Sequence, residues 1–116
     1  MRNFKKFEIW KQGIEIVKMI YIIAKQLPKE EMFGLRSQIT RAAVSVPSNI
    51  AEGAGRNTDK DFKRFLEIAL GSLFEIETQL ILIKELELIE NLEVKEIFAL
   101  IEKEGKQINS FINKLK

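Results

Sequence analysis

The side chains of this chain that can do acid–base or nucleophilic chemistry are its carboxylates, its lysines and a single tyrosine, Tyr21, because it contains neither histidine nor cysteine. The usual ligands of zinc, haem and helix-bundle di-iron centres are therefore missing, and so are the partners of a Ser-His or Cys-His nucleophile. Most glutamates lie among lysines at spacings typical of solvated helix surfaces, as Glu90, Glu93 and Glu96 do beside Lys95. We expect no catalytic residues, no metal, no cofactor and no enzyme activity.

One glycine-rich stretch, residues 53–55, resembles a phosphate-binding loop. It follows a predicted helix rather than a strand, and it lacks the Gly-Lys-Ser/Thr ending of that motif. We interpret it as a helix C-cap with close backbone packing.

Basic residues cluster around the expected turn between the second and third helices. Such a cluster can contact phosphates, and the number of these contacts sets the affinity for nucleic acid. The alternative is an ordinary solvated helix face, because no aromatic residue is clearly exposed beside the cluster for base stacking. The candidate nucleic-acid-binding residues are Arg41, Arg56, Lys60, Lys63 and Arg64.

A second candidate site is a polar line on the second helix. At 100° per residue its members fall within about 80° of one another, beside the apolar stripe of the same helix. The polar line comprises Gln38, Arg41, Ser45, Asn49 and Glu52. In one interpretation, its short side chains bond backbone groups freed by Pro47, while Arg41 and Glu52 pair with neighbouring helices. In the other, it forms an assembly interface or a groove for RNA or another partner.

Hydrophobic periodicity predicts the helices that must position these residues. Apolar residues at spacings of three and four predict four helices, over about 3–27, 30–55, 59–86 and 92–115. Pro28 ends the first, Gly55 ends the second, and Thr58 and Asn91 are the expected N-caps of the third and fourth. No segment alternates with period two, so we expect no sheet.

These helices fit one small domain. With 116 residues, of which 46% are hydrophobic, the chain has material for a single core. Short loops make successive helices antiparallel neighbours, so we predict an all-α, antiparallel up-down-up-down four-helix bundle over residues 1–116, with the second helix kinked at Pro47. The longest apolar run, residues 19–24, is too short for a signal peptide or a membrane span, which predicts a cytoplasmic protein.

The first and third helices carry more apolar surface than one small core requires. On the first helix, the first line is the expected core stripe and comprises Phe7, Trp10, Ile14, Val17, Tyr21 and Ala24. The second line lies beside it and comprises Ile9, Gly13, Ile16, Ile20, Ile23 and Leu27. On the third helix a heptad seam from Phe62 to Ile83 is widened by Phe65, Leu70, Phe74 and Ile81. The excess predicts a homo-oligomer. Gly13 and Gly71 predict points of close helix approach.

Most of the chain resembles a known family. The most specific match is the run Arg41-Ala42-Ala43-Val44-Ser45-Val46-Pro47-Ser48-Asn49-Ile50-Ala51-Glu52-Gly53, followed by Arg56, Phe62, Phe65, Leu66, Ala69, Gly71, Ser72, Leu73 and Glu75. This pattern resembles the four-helix bundle proteins encoded in bacterial 23S ribosomal RNA intervening sequences. The resemblance implies an antiparallel bundle that assembles as a homopentamer. The accessory protein of diversity-generating retroelements, a related protein, is linked to nucleic-acid binding and a reverse transcriptase. Many members have unknown function, and none supplies catalytic residues.

Two functional hypotheses follow. In the first, the chain is a homo-oligomeric binding protein associated with RNA or DNA. The sequence supports it by a charge asymmetry: residues 1–64 carry 13 Lys/Arg and 7 Asp/Glu, whereas residues 65–116 carry 6 and 10. In the alternative, the chain is an oligomeric scaffold or adaptor for a protein partner, without nucleic-acid binding, and the polar line serves assembly.

Overall fold

Four α-helices make up most of the chain in a computed structural model, which describes residues 2–115. They are α1 (Glu8–Ala24), α2 (Leu35–Ala54), α3 (Asp59–Glu85) and α4 (Lys95–Lys114). Short 3-10 turns, Phe4–Lys6 and Lys29–Glu31, precede α1 and α2. The described residues contain no strand, so the predicted all-α class is confirmed. Within the same residues no helix is long and apolar enough to cross a membrane.

Each helix packs against two others, and the four surround one core. The neighbouring pairs are α1 with α2, α2 with α3, α3 with α4, and α4 with α1. Gln38, early in α2, bonds Gln79, late in α3, whereas Ser45 further along α2 bonds the earlier Ser72. Contacts in this reversed order are those of helices that run in opposite directions. α2 continues as helix through Pro47, and the kink there stays a prediction.

The helix boundaries confirm one predicted cap and correct another. Thr58 caps α3, since its hydroxyl oxygen accepts a hydrogen bond from the backbone N–H of Asp61 at 3.1 Å. Asn91 does not cap α4: its φ of 55° places it in the left-handed region within the loop, and Val94 precedes the helix. α1 and α2 each begin five residues later than predicted, because a 3-10 turn takes up the start of each predicted segment.

The heptad seam of α3 forms the centre of the core. All seven of its side chains are fully buried: Phe62, Leu66, Ala69, Leu73, Ile76, Leu80 and Ile83. On α1 the prediction was wrong about which line is the core stripe. Every member of the second line is buried, whereas the first line is half-buried or exposed apart from Ala24. Trp10 and Tyr21 belong to the first line, and their polar ring atoms favour a position at the surface.

Two glycines, Gly13 and Gly53, allow close helix approach, and of these only Gly13 was predicted. A Cβ on Gly13 would lie 3.4 Å from Pro47 Cβ, in agreement with the prediction. A Cβ on Gly71 would have nothing within 4 Å, so its prediction as a packing point inside the bundle was wrong. The tightest approach is at Gly53, where a Cβ would lie 2.6 Å from Phe65 Cβ. Gly53 therefore sets how closely α2 and α3 pack.

Candidate nucleic-acid interface

One end of the bundle is basic and the other is acidic. The basic end, where α1 and α3 begin and α2 and α4 end, comprises residues 2–11, 52–67 and 106–115, with ten Lys/Arg and five Asp/Glu. The acidic end comprises residues 25–36 and 77–96, with five Lys/Arg and eight Asp/Glu. The charge asymmetry along the sequence thus becomes a charge difference between the two ends of the molecule.

Two arginines of the basic end stack on one aromatic ring. The guanidinium carbon of Arg56 lies 4.6 Å from the ring centroid of Phe65, and that of Arg64 lies 5.7 Å from it. Arg56 follows α2 and Arg64 lies in α3, so the close packing of Gly53 on Phe65 brings them together. A ring beneath a guanidinium restricts its motion while leaving its N–H donors free for phosphate oxygens.

The lysines of the predicted cluster lie beside these arginines. Lys60 and Lys63 occupy the start of α3 and, with Arg64, fall within about 100° around the helix. Within residues 2–115 none of the four cluster residues after α2 forms an ion pair. Arg56, Lys60 and Arg64 are exposed, and Lys63 is half-buried. Arg41 is separate: it is exposed on α2, 15 residues before Arg56, about 22 Å along the helix. The structure therefore brings together four of the five candidate residues.

Arg2 is a residue of this end that sequence reasoning missed. Its guanidinium donates to the carbonyl oxygens of Arg56 at 2.7 Å and Ala54 at 3.3 Å, and pairs with Asp59 at 2.6 Å. It also lies 4.7 Å from the ring centroid of Phe62. Arg2 thus fastens the start of the chain to the α2–α3 turn and caps the last carbonyls of α2. Because these contacts join positions more than 50 residues apart, local spacing gave no signal for them.

Two members of the polar line join α2 to α3, and a third supports one of them from within α2. Gln79 Nε2 donates to Gln38 Oε1 at 3.3 Å, and the hydroxyls of Ser45 and Ser72 lie 2.8 Å apart. Asn49 donates to both the hydroxyl and the carbonyl of Ser45 at 2.8 Å. The side chains therefore hold the α2–α3 interface together at its edge.

The other two members of the polar line face solvent. Arg41 and Glu52 are exposed, and neither forms an ion pair in the part of the chain that the structure describes. The predicted pairing with neighbouring helices is therefore absent there, and these two side chains are available to a partner.

A buried polar cluster between α1 and α4 is the second feature that sequence reasoning missed. Gln12 Nε2 donates to Glu104 Oε1 at 3.3 Å and also to Gln107 Oε1. Glu104 is fully buried, and burial raises its pKa to about 8. Its Oε2 and Gln12 Oε1 have no hydrogen-bond partner among the residues that the structure describes. The signal was present in the spacing, since position 104 falls between the buried Ile101 and Ile108 of the α4 stripe.

This cluster joins an acid to amides rather than to a second acid. A buried carboxyl with a raised pKa is largely neutral at pH 7, so Glu104 accepts the hydrogen bond from Gln12 without burying a full charge. Among residues 2–115 no three acidic side chains converge as metal ligands would. The arrangement holds two helices together and offers no evident nucleophile or ligand set.

Comparison with known proteins identifies the fold and the family. No curated protein matches the chain. A solved structure from Bacteroides thetaiotaomicron VPI-5482, a protein of unknown function from the S23 ribosomal protein family, is similar with a TM-score of 0.82 and 27% identity. The similarity covers 91% of this chain and 96% of that one. A family model described as 23S rRNA-intervening sequence protein matches residues 5–110, which include the cluster and the polar line. The chain therefore belongs to the 23S rRNA-intervening sequence protein family.

Proposed function

We propose that this chain is a non-enzymatic, homo-oligomeric binding protein that associates with RNA through its basic end. The observation that carries the proposal is the pair of guanidinium groups, of Arg56 and Arg64, held over Phe65 beside two lysines without ion-pair partners in the described chain. Four cations on one turn form a surface that a phosphate backbone fits. The family takes its name from sequences within ribosomal RNA, which agrees with this choice of nucleic acid.

The physical basis of binding would be release of counterions from phosphates. Guanidinium groups offer paired N–H donors to one phosphate, whereas lysines act as point charges. If all four cations contact a single strand, log K should fall with log salt with a slope of about −3. An oligomer would present several basic ends on one particle, which raises the overall affinity for a long RNA.

The oligomer is supported by apolar side chains that the bundle leaves outside its core. Among residues 2–115, ten large hydrophobic residues are exposed, and several of them share the outer side of α3. Exposed apolar patches of this kind usually mark interfaces in proteins without a membrane span.

The test is fluorescence anisotropy with labelled fragments of ribosomal RNA across a salt series. The variant Lys63→Glu/Arg64→Glu removes two cations from the cluster, and we expect it to weaken binding more than about tenfold and flatten the salt slope. The matched control is Lys84→Glu/Lys95→Glu, which makes the same change in net charge at the acidic end. Equal losses in both variants, or no binding by the wild type at low salt, would contradict the proposed interface.

The second candidate function is an oligomeric scaffold for a protein partner. A groove between α1 and α4 at the acidic end favours it, because the groove is largely apolar and open. Its apolar lining comprises Met19, Ile22, Ile23, Leu92, Ile97 and Ala99. Light scattering on a size-exclusion column, with and without RNA, separates the two functions. An oligomer that takes up no RNA at low salt would favour the scaffold.

A further inference from the structure

The outer side of α3 is an apolar surface that no part of the bundle covers. The outer face of α3 comprises Ile68, Gly71, Phe74, Ile81 and Leu82, which fall within about 140° around the helix. Phe74 is 53% exposed and Ile81 is 47% exposed. Gly71 lies in the middle of this face with open space where a Cβ would be. A helical glycine without a packing partner in its own chain would let the backbone of another helix approach.

A second uncovered apolar surface is a groove between α1 and α2. The first line of α1 forms one wall, because the second line is turned into the core. The apolar lining of this α1–α2 groove comprises Trp10, Ile14, Val17, Val44, Pro47 and Ala51. Val44 is 41% exposed, and Tyr21 extends the same wall of α1 at 44% exposure. The groove therefore has the concave shape that complements a single projecting helix.

The two surfaces carry opposite charges at their borders. Between residues 65 and 83, α3 contains no Lys or Arg, and its charged residues are Glu67, Glu75 and Glu77. The α1–α2 groove is bordered mostly by cations, namely Lys11, Lys18 and Lys25 of α1 and Arg41 of α2, with the acid Glu52 of α2 beside its other end. Lys11 and Lys18 pair only with acids three residues earlier on their own exposed helix surface, at 3.7 Å and 3.0 Å. Such pairs are weak, so these lysines can turn to a partner.

We propose that the outer face of α3 of one copy packs into the α1–α2 groove of a second copy; this inference rests on the homo-oligomer of the proposed function. The glutamates of α3 would then meet the cations that border the groove. The contact joins two different surfaces, so it is heterologous, and each copy keeps one surface free for the next. Repetition closes a ring or extends a filament. The pairing gives a role to Gly71 and to the exposed Tyr21 and Val44, which the packing of one chain does not explain.

The test is a mixing experiment followed by light scattering on a size-exclusion column. Phe74→Glu places a charge on the outer face of α3, and Val44→Glu places one in the groove. We expect each variant alone to be a monomer at concentrations where the wild type is assembled. Mixed in equal amounts, they should form a particle of two chains, because one intact face and one intact groove remain. Phe33→Glu, a change at a 92% exposed residue outside both surfaces, should keep the wild-type mass.

Three outcomes would overturn the pairing. If both variants keep the wild-type mass, other surfaces hold the oligomer, while the homo-oligomer of the proposed function stands. If only Phe74→Glu dissociates, α3 packs on itself rather than in the groove. A wild type that is itself a monomer would remove the homo-oligomer along with the pairing. The RNA-binding arm of the proposed function is read separately, by anisotropy with the Lys63→Glu/Arg64→Glu variant, which changes no residue that defines either surface.

An independent variant guards against misfolding of the charged ones. Gly71→Trp adds a large side chain in open space, so helical circular dichroism should be unchanged while assembly is lost. Unchanged assembly in this variant would count against α3 as the packed surface. A charge exchange completes the series: Lys18→Glu should weaken assembly, and addition of Glu75→Lys in the same chain should restore it at low salt.

Discussion

The interface between α2 and α3 and the interface between α1 and α4 represent two ways of packing helices in one small bundle. Between α2 and α3, Gly53 brings the backbones together, and hydroxyl and amide groups bond one another at the edge. Between α1 and α4 an acid, Glu104, lies at the centre of the contact. Both interfaces leave buried oxygens without a partner among residues 2–115: Glu104 Oε2 and Gln12 Oε1 between α1 and α4, and Gln79 Oε1 between α2 and α3. The α2–α3 interface is a closed interface, held by close packing of the two helix backbones. The α1–α4 interface instead contains a carboxyl whose contribution to the free energy of unfolding depends on pH.

The difference indicates which part of the molecule is rigid. The basic cluster, Arg56 and Arg64 on Phe65, is built on the α2–α3 interface, so its geometry rests on the best packed helices. α4 contributes no residue to that cluster. A binding site supported by the closed interface can keep its shape even if α4 moves away from α1. Variants of each interface can therefore be tested separately.

The largest effect is expected at Glu104. Below pH 4.5 the carboxyl is protonated in both states, whereas between 4.5 and about 8 only the unfolded chain releases the proton. The free energy of unfolding should therefore fall by about 1.4 kcal/mol per pH unit across this window and level off above it. Glu104→Gln removes this dependence and should stabilise the protein by about 3 kcal/mol at pH 7.

Urea denaturation at pH 5, 7 and 9, at one protein concentration, checks this prediction. The control is Glu102→Gln, which removes an exposed acid on the same helix that pairs with Lys106 at 3.1 Å. We expect no comparable change there, since exposed pairs contribute about 0–1 kcal/mol. A Glu104→Gln variant that keeps the wild-type pH profile would mean that this acid is charged in the folded protein.

The next effect concerns the closed interface. Gly53→Ala would place a Cβ 2.6 Å from Phe65 Cβ and 2.9 Å from Phe62 Cδ1, so the helices must separate. We expect a loss of about 2 kcal/mol of unfolding free energy, because overpacking outweighs the better helix propensity of alanine. The same change should displace Phe65 and weaken RNA binding. Stability equal to the wild type would show that α2 and α3 can shift freely.

Gly71→Ala on α3 is the matched change to Gly53→Ala on α2. In the Phe74→Glu background, where the proposed assembly is lost, a Cβ there meets nothing within 4 Å, so only propensity acts, and alanine should stabilise α3 by up to about 1 kcal/mol. Opposite signs at Gly53 and Gly71 in thermal unfolding would separate packing from propensity. A destabilised Gly71→Ala in that background would mean that this position is packed within its own chain.

The sequence predicts the helices of this bundle better than it predicts which of their faces are buried. The heptad seam of α3 is predicted correctly because its seven apolar residues follow heptad spacing without a break. They therefore mark a single face of the helix as the buried one. On α1 two apolar lines compete for the core. The buried line is the one whose Gly13 lies against Pro47 of α2 and Glu104 of α4. The spacing of residues within α1 carries no information about these contacts. Glu104 was missed for the same reason: a residue type common at surfaces occupies a core position.

The candidate site divides in the same way. The four cations after α2 are near one another in sequence, so helix geometry brings them together. Arg41 shares their type but lies about 22 Å away along α2. Arg2 reaches the site only through the fold, by contacts with the α2–α3 turn.

The smallest effect is expected at the hydroxyl pair on the edge of the closed interface. Ser72→Ala removes the 2.8 Å hydrogen bond to Ser45, but the Ser45 hydroxyl keeps Asn49 as a donor and lies only half-buried. The loss should therefore be about 0.5 kcal/mol, near the lower limit for a neutral hydrogen bond. Ser45→Ala, which breaks bonds to both partners, should cost more in the same urea titration. If the two variants were equal, the α2–α3 interface would depend on its shape at Gly53 rather than on its polar edge.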